Sequence, residues 1–152
     1  IKLQDKSAHI DFDQLLDLIG NNNDKNVFEM INKLMSGNYY EAAYLLKNFE
    51  RVKTSSSSIL YLIKIKLKLL RKCVHMKFNG FSKNEIINHK SLKIFYKEQP
   101  FISRMLDLWS LINIDSCLYY LFKTELNCKS KKDYEYIFLR QLFLYIYLKT
   151  KI

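Results

Sequence analysis

One proline and three glycines are all that punctuate 152 residues. These two residue types interrupt regular elements most strongly. A chain so poor in them has to fold from long unbroken stretches. Strands usually run only about five or six residues, so unbroken stretches several times longer predict helices. The clearest case is Trp109 to Lys129, which holds the single Trp. Beyond Asn113 its residues Ile114, Cys117, Leu118, Leu121, Phe122, Glu125 and Leu126 recur mostly at steps of three and four. That spacing describes one face of a helix, broken only by Glu125 near its end. Lys129 then suits the negative end of the helix dipole.

The rest of the chain divides in the same way. Asp11 to Ile19 predicts a short helix capped by Asp11, with Phe12, Leu15, Leu16 and Ile19 on one face and Gly20 closing it. Asn21 to Asp24 is polar and turn-like, and marks a domain boundary. Lys25 to Met35 predicts a second helix, built on Val27, Met30, Ile31 and Leu34. Gly37 is placed to end it in the left-handed conformation. Tyr39 to Arg51 follows as the second arm of an antiparallel hairpin, with Ala42, Ala43, Leu45, Leu46 and Phe49 apolar.

Ile59 to Met76 carries two periods at once. Ile63 to Leu69 alternates apolar and Lys as a half-buried strand would, while Ile59, Leu62, Ile63, Leu67, Leu70 and Val74 share a helical face. Length favours the helix, and three lysines in its middle exclude a membrane span. Ser82 to Glu85 is a capping box for a short helix. Ser91 to Gln99 reads as irregular, anchored by Ile94, Phe95 and Tyr96. Pro100 opens a helix to about Leu111. The last helix, Asp133 to Lys149, groups Tyr134, Ile137, Phe138, Leu142, Tyr145 and Leu148 on its core face. Leu139, Phe143, Ile146 and Tyr147 fall outside that face and are the candidate partner interface. The expected fold is therefore all-α, a compact bundle of about six to seven helices.

The sequence is short of catalytic chemistry. It has no phosphate-binding glycine loop, no dinucleotide fingerprint and no nucleophile elbow. Cys73, Cys117 and Cys128 form no C-x-x-C pair, which predicts buried thiols in a reducing compartment. His9, His75 and His89 lack metal-ligand spacing. No catalytic residue, cofactor site or metal site is expected. The formal charge of +10 points toward anionic partners, although a chain rich in Lys, Ile, Asn and Tyr also fits an AT-rich genome. Lys64, Lys68, Arg71 and Lys72 make a basic stripe on one helix face, the candidate phosphate contact. A solvated face is the usual explanation of such a stripe. A membrane-surface reading, resting on the aromatic last helix and its lysines, is the weaker third, and no membrane partner is expected. The chain opens on Ile1, as a piece of a longer protein would.

Several stretches in order carry a family resemblance. They are Phe28–Asn38, Tyr39–Phe49 with its Glu41-Ala42-Ala43 and Leu45-Leu46, Ile59–Arg71, Leu92–Lys97, Asp107–Ser110 and Glu125–Lys129. Together they resemble the C-terminal part of the delta subunit of bacterial DNA polymerase III, in its alphaproteobacterial form. The family's prolines before the segment at Leu92–Lys97 are missing here. The resemblance implies a helical collar over residues 23–152, preceded over 1–22 by the end of a helical lid. It further implies a non-catalytic, cytoplasmic assembly module of the clamp loader, part of a DNA-directed DNA polymerase holoenzyme. Its implied partners are the ATPase subunits and delta-prime, through collar packing. The sliding clamp would be met by a domain upstream of this chain, and DNA only weakly or indirectly. The alternative is a free-standing basic helical domain that binds nucleic acid.

Overall fold

A computed structural model describes residues 22–151. The helix expected over Asp11–Ile19, with the lid end assigned to it, lies outside the described residues. Within them the chain is all-α, with seven α-helices, one 3-10 turn and no strand.

Helix α1 (Asn22–Met35) starts earlier than expected. Asn22 to Asp24 form its first turn rather than a linker, since Asn and Asp are as much at home beside a helix N-terminus as in a turn. Val27, Met30, Ile31 and Leu34 are fully buried. The helix stops where Gly37 takes φ +90°. The Asn38 N–H donates to the Lys33 carbonyl at 2.8 Å and the Gly37 N–H to Leu34 at 3.1 Å. These two bonds satisfy carbonyls that the helix end leaves open.

Helix α2 (Tyr39–Arg51) returns along α1 and buries Ala42, Leu46 and Phe49. It ends in the same motif, with Thr54 N–H on the Phe49 carbonyl at 3.0 Å and Lys53 N–H on Glu50 at 3.1 Å. Here the left-handed residue is Lys53, at φ +55°, in the place glycine ordinarily takes.

Helix α3 (Ser56–Phe78) resolves the double period in favour of the helix. Its buried set includes every residue grouped by the helical spacing, with Ser56, Leu60, Lys66 and Cys73 added. It lies at the centre of the bundle, packed on four later helices as well as α1. Helix α4 (Lys83–Ile87) is opened by the expected capping box, Ser82 Oγ accepting the Glu85 N–H at 3.2 Å. In the segment that follows, Ile94 is buried but Tyr96 is 65% exposed, so Tyr96 does not anchor the segment as its sequence suggests.

Pro100 sits in the first turn of α5 (Gln99–Leu108). That helix stops three residues short of the expected Leu111. Trp109 turns extended, buries its ring and donates its indole N–H to the Met35 carbonyl at 2.8 Å. Ser110 then caps α6 (Leu111–Ser130) by accepting the Asn113 N–H at 3.3 Å. Ile114, Cys117 and Leu121 are buried as expected, but the face continues through Thr124 and Cys128, leaving Phe122 and Leu126 exposed. The expected row 114, 118, 122, 126 advances about 40° past a full turn at each step of four. It therefore walks off the core, whereas alternating steps of three and four stay on it.

A 3-10 turn (Lys132–Tyr134) leads into α7 (Glu135–Lys149), which lies between α6 and α2. The Asn113 side-chain amide donates to the Lys149 carbonyl at 3.2 Å and ties the end of α7 to the start of α6. Cys73, Cys117 and Cys128 are free and buried. Burial pushes the Cys73 and Cys117 thiols up to about 12.

Candidate interaction surfaces

The basic stripe of α3 does not present four free cations. Lys64 Nζ lies 2.7 Å from Glu125 of α6. Arg71 Nε donates to Asp115 of α6 at 2.7 Å, and that hydrogen bond holds its guanidinium above its ordinary pKa. Lys68 and Lys72 are exposed and make no ion pair among the described residues. Half of the stripe is thus a seam joining α3 to α6. A phosphate would have to compete with carboxylates already in place. Glu125, which broke the apolar face in the sequence, is the partner that fixes this seam.

Among the described residues the most buried cation lies outside that stripe. Lys66 is fully enclosed and pairs with Glu98, at the start of α5. The Asn32 amide donates to the other oxygen of Glu98 at 3.0 Å, and the Phe28 ring lies 5.9 Å from the ammonium. Burial pulls the Lys66 pKa below the ordinary lysine range, with Glu98 opposing the shift. The cluster ties α1, α3 and the entry to α5 together at one point. A signal was present: Lys66 lies three residues from Ile63 and four from Leu62 and Leu70, in the middle of the apolar face.

The expected partner interface on α7 is corrected. Leu139, Phe143 and Ile146 are core residues, at most 1% exposed, and Tyr147 is partly buried against the Tyr39 ring. The side of α7 left to solvent carries Ile137, Leu144 and Leu148, about half exposed, although the spacing puts Ile137 and Leu148 on the core face. The helix is apolar nearly all round, so periodicity could not choose between its sides. Phe143 reaches the surface only as part of a groove of 430 Å³ between α2 and α7, lined also by Tyr39, Ala43 and Leu46 and crossed by the Arg140–Glu50 ion pair. On α6, Ile112, Tyr119, Phe122 and Leu126 form a second exposed apolar row. Their spacing of seven, three and four keeps them on one face, opposite the core.

Among the described residues no three His, Cys, Asp or Glu side chains converge as metal ligands would. No helix among them is long and apolar enough to cross a membrane.

Residues 24–146 match the family model described as DNA polymerase III delta subunit, C-terminal domain. The fold is similar to the solved structure of the Bacillus subtilis DNA clamp loader delta protein (YqeN), with a TM-score of 0.64 and 18% identity. The similarity covers 82% of this chain and 36% of that one, so the chain spans about a third of that protein. Comparison with curated proteins gives no match.

Proposed function

Because the chain belongs to the family formed by the C-terminal domain of the DNA polymerase III delta subunit, we propose that it is the assembly module of a clamp-loader delta protein. The observation that carries this reading is the extent of the family match, which runs from the first turn of α1 into the last turn of α7. In this reading the module catalyses nothing itself. It works in the cytoplasm, helping to hold the ring that places a sliding clamp on DNA, as part of the polymerase holoenzyme. The resemblance to the alphaproteobacterial form adds the narrower assignment of its type.

The proposed partners are the collars of the ATPase subunits and of delta-prime. The surface we assign to them is the solvent side of α7, at Ile137, Leu144 and Leu148, together with the apolar row of α6. These residues leave large apolar side chains in water, and each aliphatic side chain buried in an interface contributes roughly 1 kcal/mol or more. Such contacts are not screened by salt.

The test is reconstitution of full-length delta with its ATPase subunits and delta-prime, followed by size-exclusion chromatography in about 1 M salt, where the Debye length is about 3 Å. The assembly is expected to survive. Leu144→Glu with Leu148→Glu should release delta from it while leaving the helical circular dichroism unchanged, and Lys68→Glu should not. Intact assembly of the doubly substituted, folded protein would remove α7 from the interface.

A further inference from the structure

We infer that the end of the bundle formed by the α2–α3 and α6–α7 turns is a contact surface for the phosphate backbone of nucleic acid. Two hydrogen bonds bring these turns together. The Tyr136 hydroxyl donates to the Thr54 carbonyl at 2.6 Å, and the Ser56 hydroxyl donates to Glu135 at 2.8 Å. The joined turns carry Arg51, Lys53, Lys129, Lys131 and Lys132, all exposed. None of the five makes an ion pair among the described residues. Of the nearby carboxylates, Glu50 is paired with Arg140, while Glu135 accepts the neutral Ser56 hydroxyl and keeps its charge. Asp133 is the exposed one in these turns.

Helix stability does not account for this placement. Arg51 and Lys129 suit the negative ends of α2 and α6, but Lys53, Lys131 and Lys132 lie beyond those helices. Lys53 occupies a left-handed position that favours glycine. Lys25 adds an exposed cation in the first turns of α1, where the helix dipole disfavours one. The α1–α2 hairpin puts it at the same end of the bundle. Charges set on turn tips suit a repeating polyanion laid across them. Tyr134, 55% exposed among these cations, offers a ring on which a base can stack. The α3 stripe, half neutralised by α6, is the weaker candidate for the same ligand.

This contact does not depend on the assembly role, and its test uses no other protein. Binding of a short fluorescein-labelled DNA duplex to the chain is followed by anisotropy as salt is raised. With five or six cations engaged, log affinity should fall against log salt with a slope of roughly −4.5 to −5.5. Lys129→Gln, Lys131→Gln and Lys132→Gln together should make that slope shallower by about 2 to 3 and weaken binding at least tenfold at about 50 mM salt. Lys68→Gln with Lys72→Gln should change either far less. Lys53→Gly, which the backbone favours, should make the slope shallower by about one while raising the melting temperature, so a loss of binding there cannot be a loss of fold. The inference is overturned if the α3 pair matters more than the turn residues, or if Lys53→Gly leaves the slope unchanged. Failure of the native chain to bind the duplex at about 50 mM salt would overturn it too. Tighter binding of poly-glutamate than of the duplex would replace nucleic acid with an acidic protein partner.

Discussion

Helix α3 carries lysines on both of its sides, and the two sides treat the same functional group in opposite ways. Inside, Lys66 is enclosed by α1, α3 and the start of α5 and depends on Glu98 for its charge. Outside, Lys64 and Arg71 meet carboxylates of α6 in water or close to it, and Lys68 and Lys72 meet none among the described residues. The difference is one of solvent rather than of charge. An enclosed ammonium loses its hydration and has to be compensated by one specific partner. A solvated ammonium is compensated everywhere, so its partner adds little. The inner pair therefore fixes how the chain packs, while the partners of the outer cations can be exchanged for a ligand's charges at little cost.

The largest expected effect tests that contrast from the inside. Glu98→Ala leaves the Lys66 ammonium enclosed without its carboxylate and should destabilise the fold by about 3 kcal/mol in urea unfolding. Lys66→Met combined with Glu98→Gln should recover most of the loss, because the enclosed charge is then gone as well. A Glu98→Ala cost no greater than that of an exposed pair would erase the distinction between the two sides.

The second expectation concerns pH. Lys66 is held below its ordinary 10.5 by burial. Between the folded pKa and 10.5 the unfolded chain binds the extra proton, so this group makes stability rise with pH across that window. Below the folded pKa both states are protonated and the contribution is flat. The rise should vanish in Lys66→Met, measured as the difference between the two proteins' unfolding free energies over the alkaline range.

Smaller effects belong to the outside. Glu125→Ala should cost about 1 kcal/mol or less, since its pair with Lys64 is only half shielded. Arg71→Ala should cost less again and become indistinguishable from the native protein in molar salt. Lys68→Ala should fall within about 0.5 kcal/mol of no change. An Arg71→Ala effect that persists undiminished in molar salt would mean that the α3–α6 seam is packed, not electrostatic.

The contrast also marks where the sequence could be read. Helices with one apolar side are legible: α1 and α3 place their expected rows in the core, because a stripe flanked by Lys and Glu has one way to face inward. Helix α7 has no such flank. With Leu, Ile, Phe and Tyr on most sides, its orientation is set by neighbours distant in sequence: Glu50 drawing Arg140, and Tyr39 and Tyr120 receiving Tyr147 and Tyr145. Spacing alone misplaces the candidate partner residues for that reason. The α3 stripe was legible as a row of charges, but Glu125 and Asp115 reach it only when α6 packs alongside. The basic end of the bundle combines turns about eighty residues apart, which no local window contains. The Gly37 turn and the Ser82–Glu85 capping box, by contrast, are local chemistry and stand where the sequence puts them.

The three enclosed thiols make the bundle report on its own opening. A thiol held near pKa 12 and away from solvent, as Cys73 and Cys117 are, is almost inert to alkylating reagents, since the thiolate is the reactive species. Labelling of the native protein then proceeds only through molecules that have opened, at a rate set by the population of the open form. Cys128, near the end of α6 and the least enclosed of the three at 6% exposure, records local fraying of that end. Cys73, in the central helix, records rupture of the whole core. Mass spectrometry after timed alkylation would count these events separately in a single sample, with no cysteine introduced for the purpose.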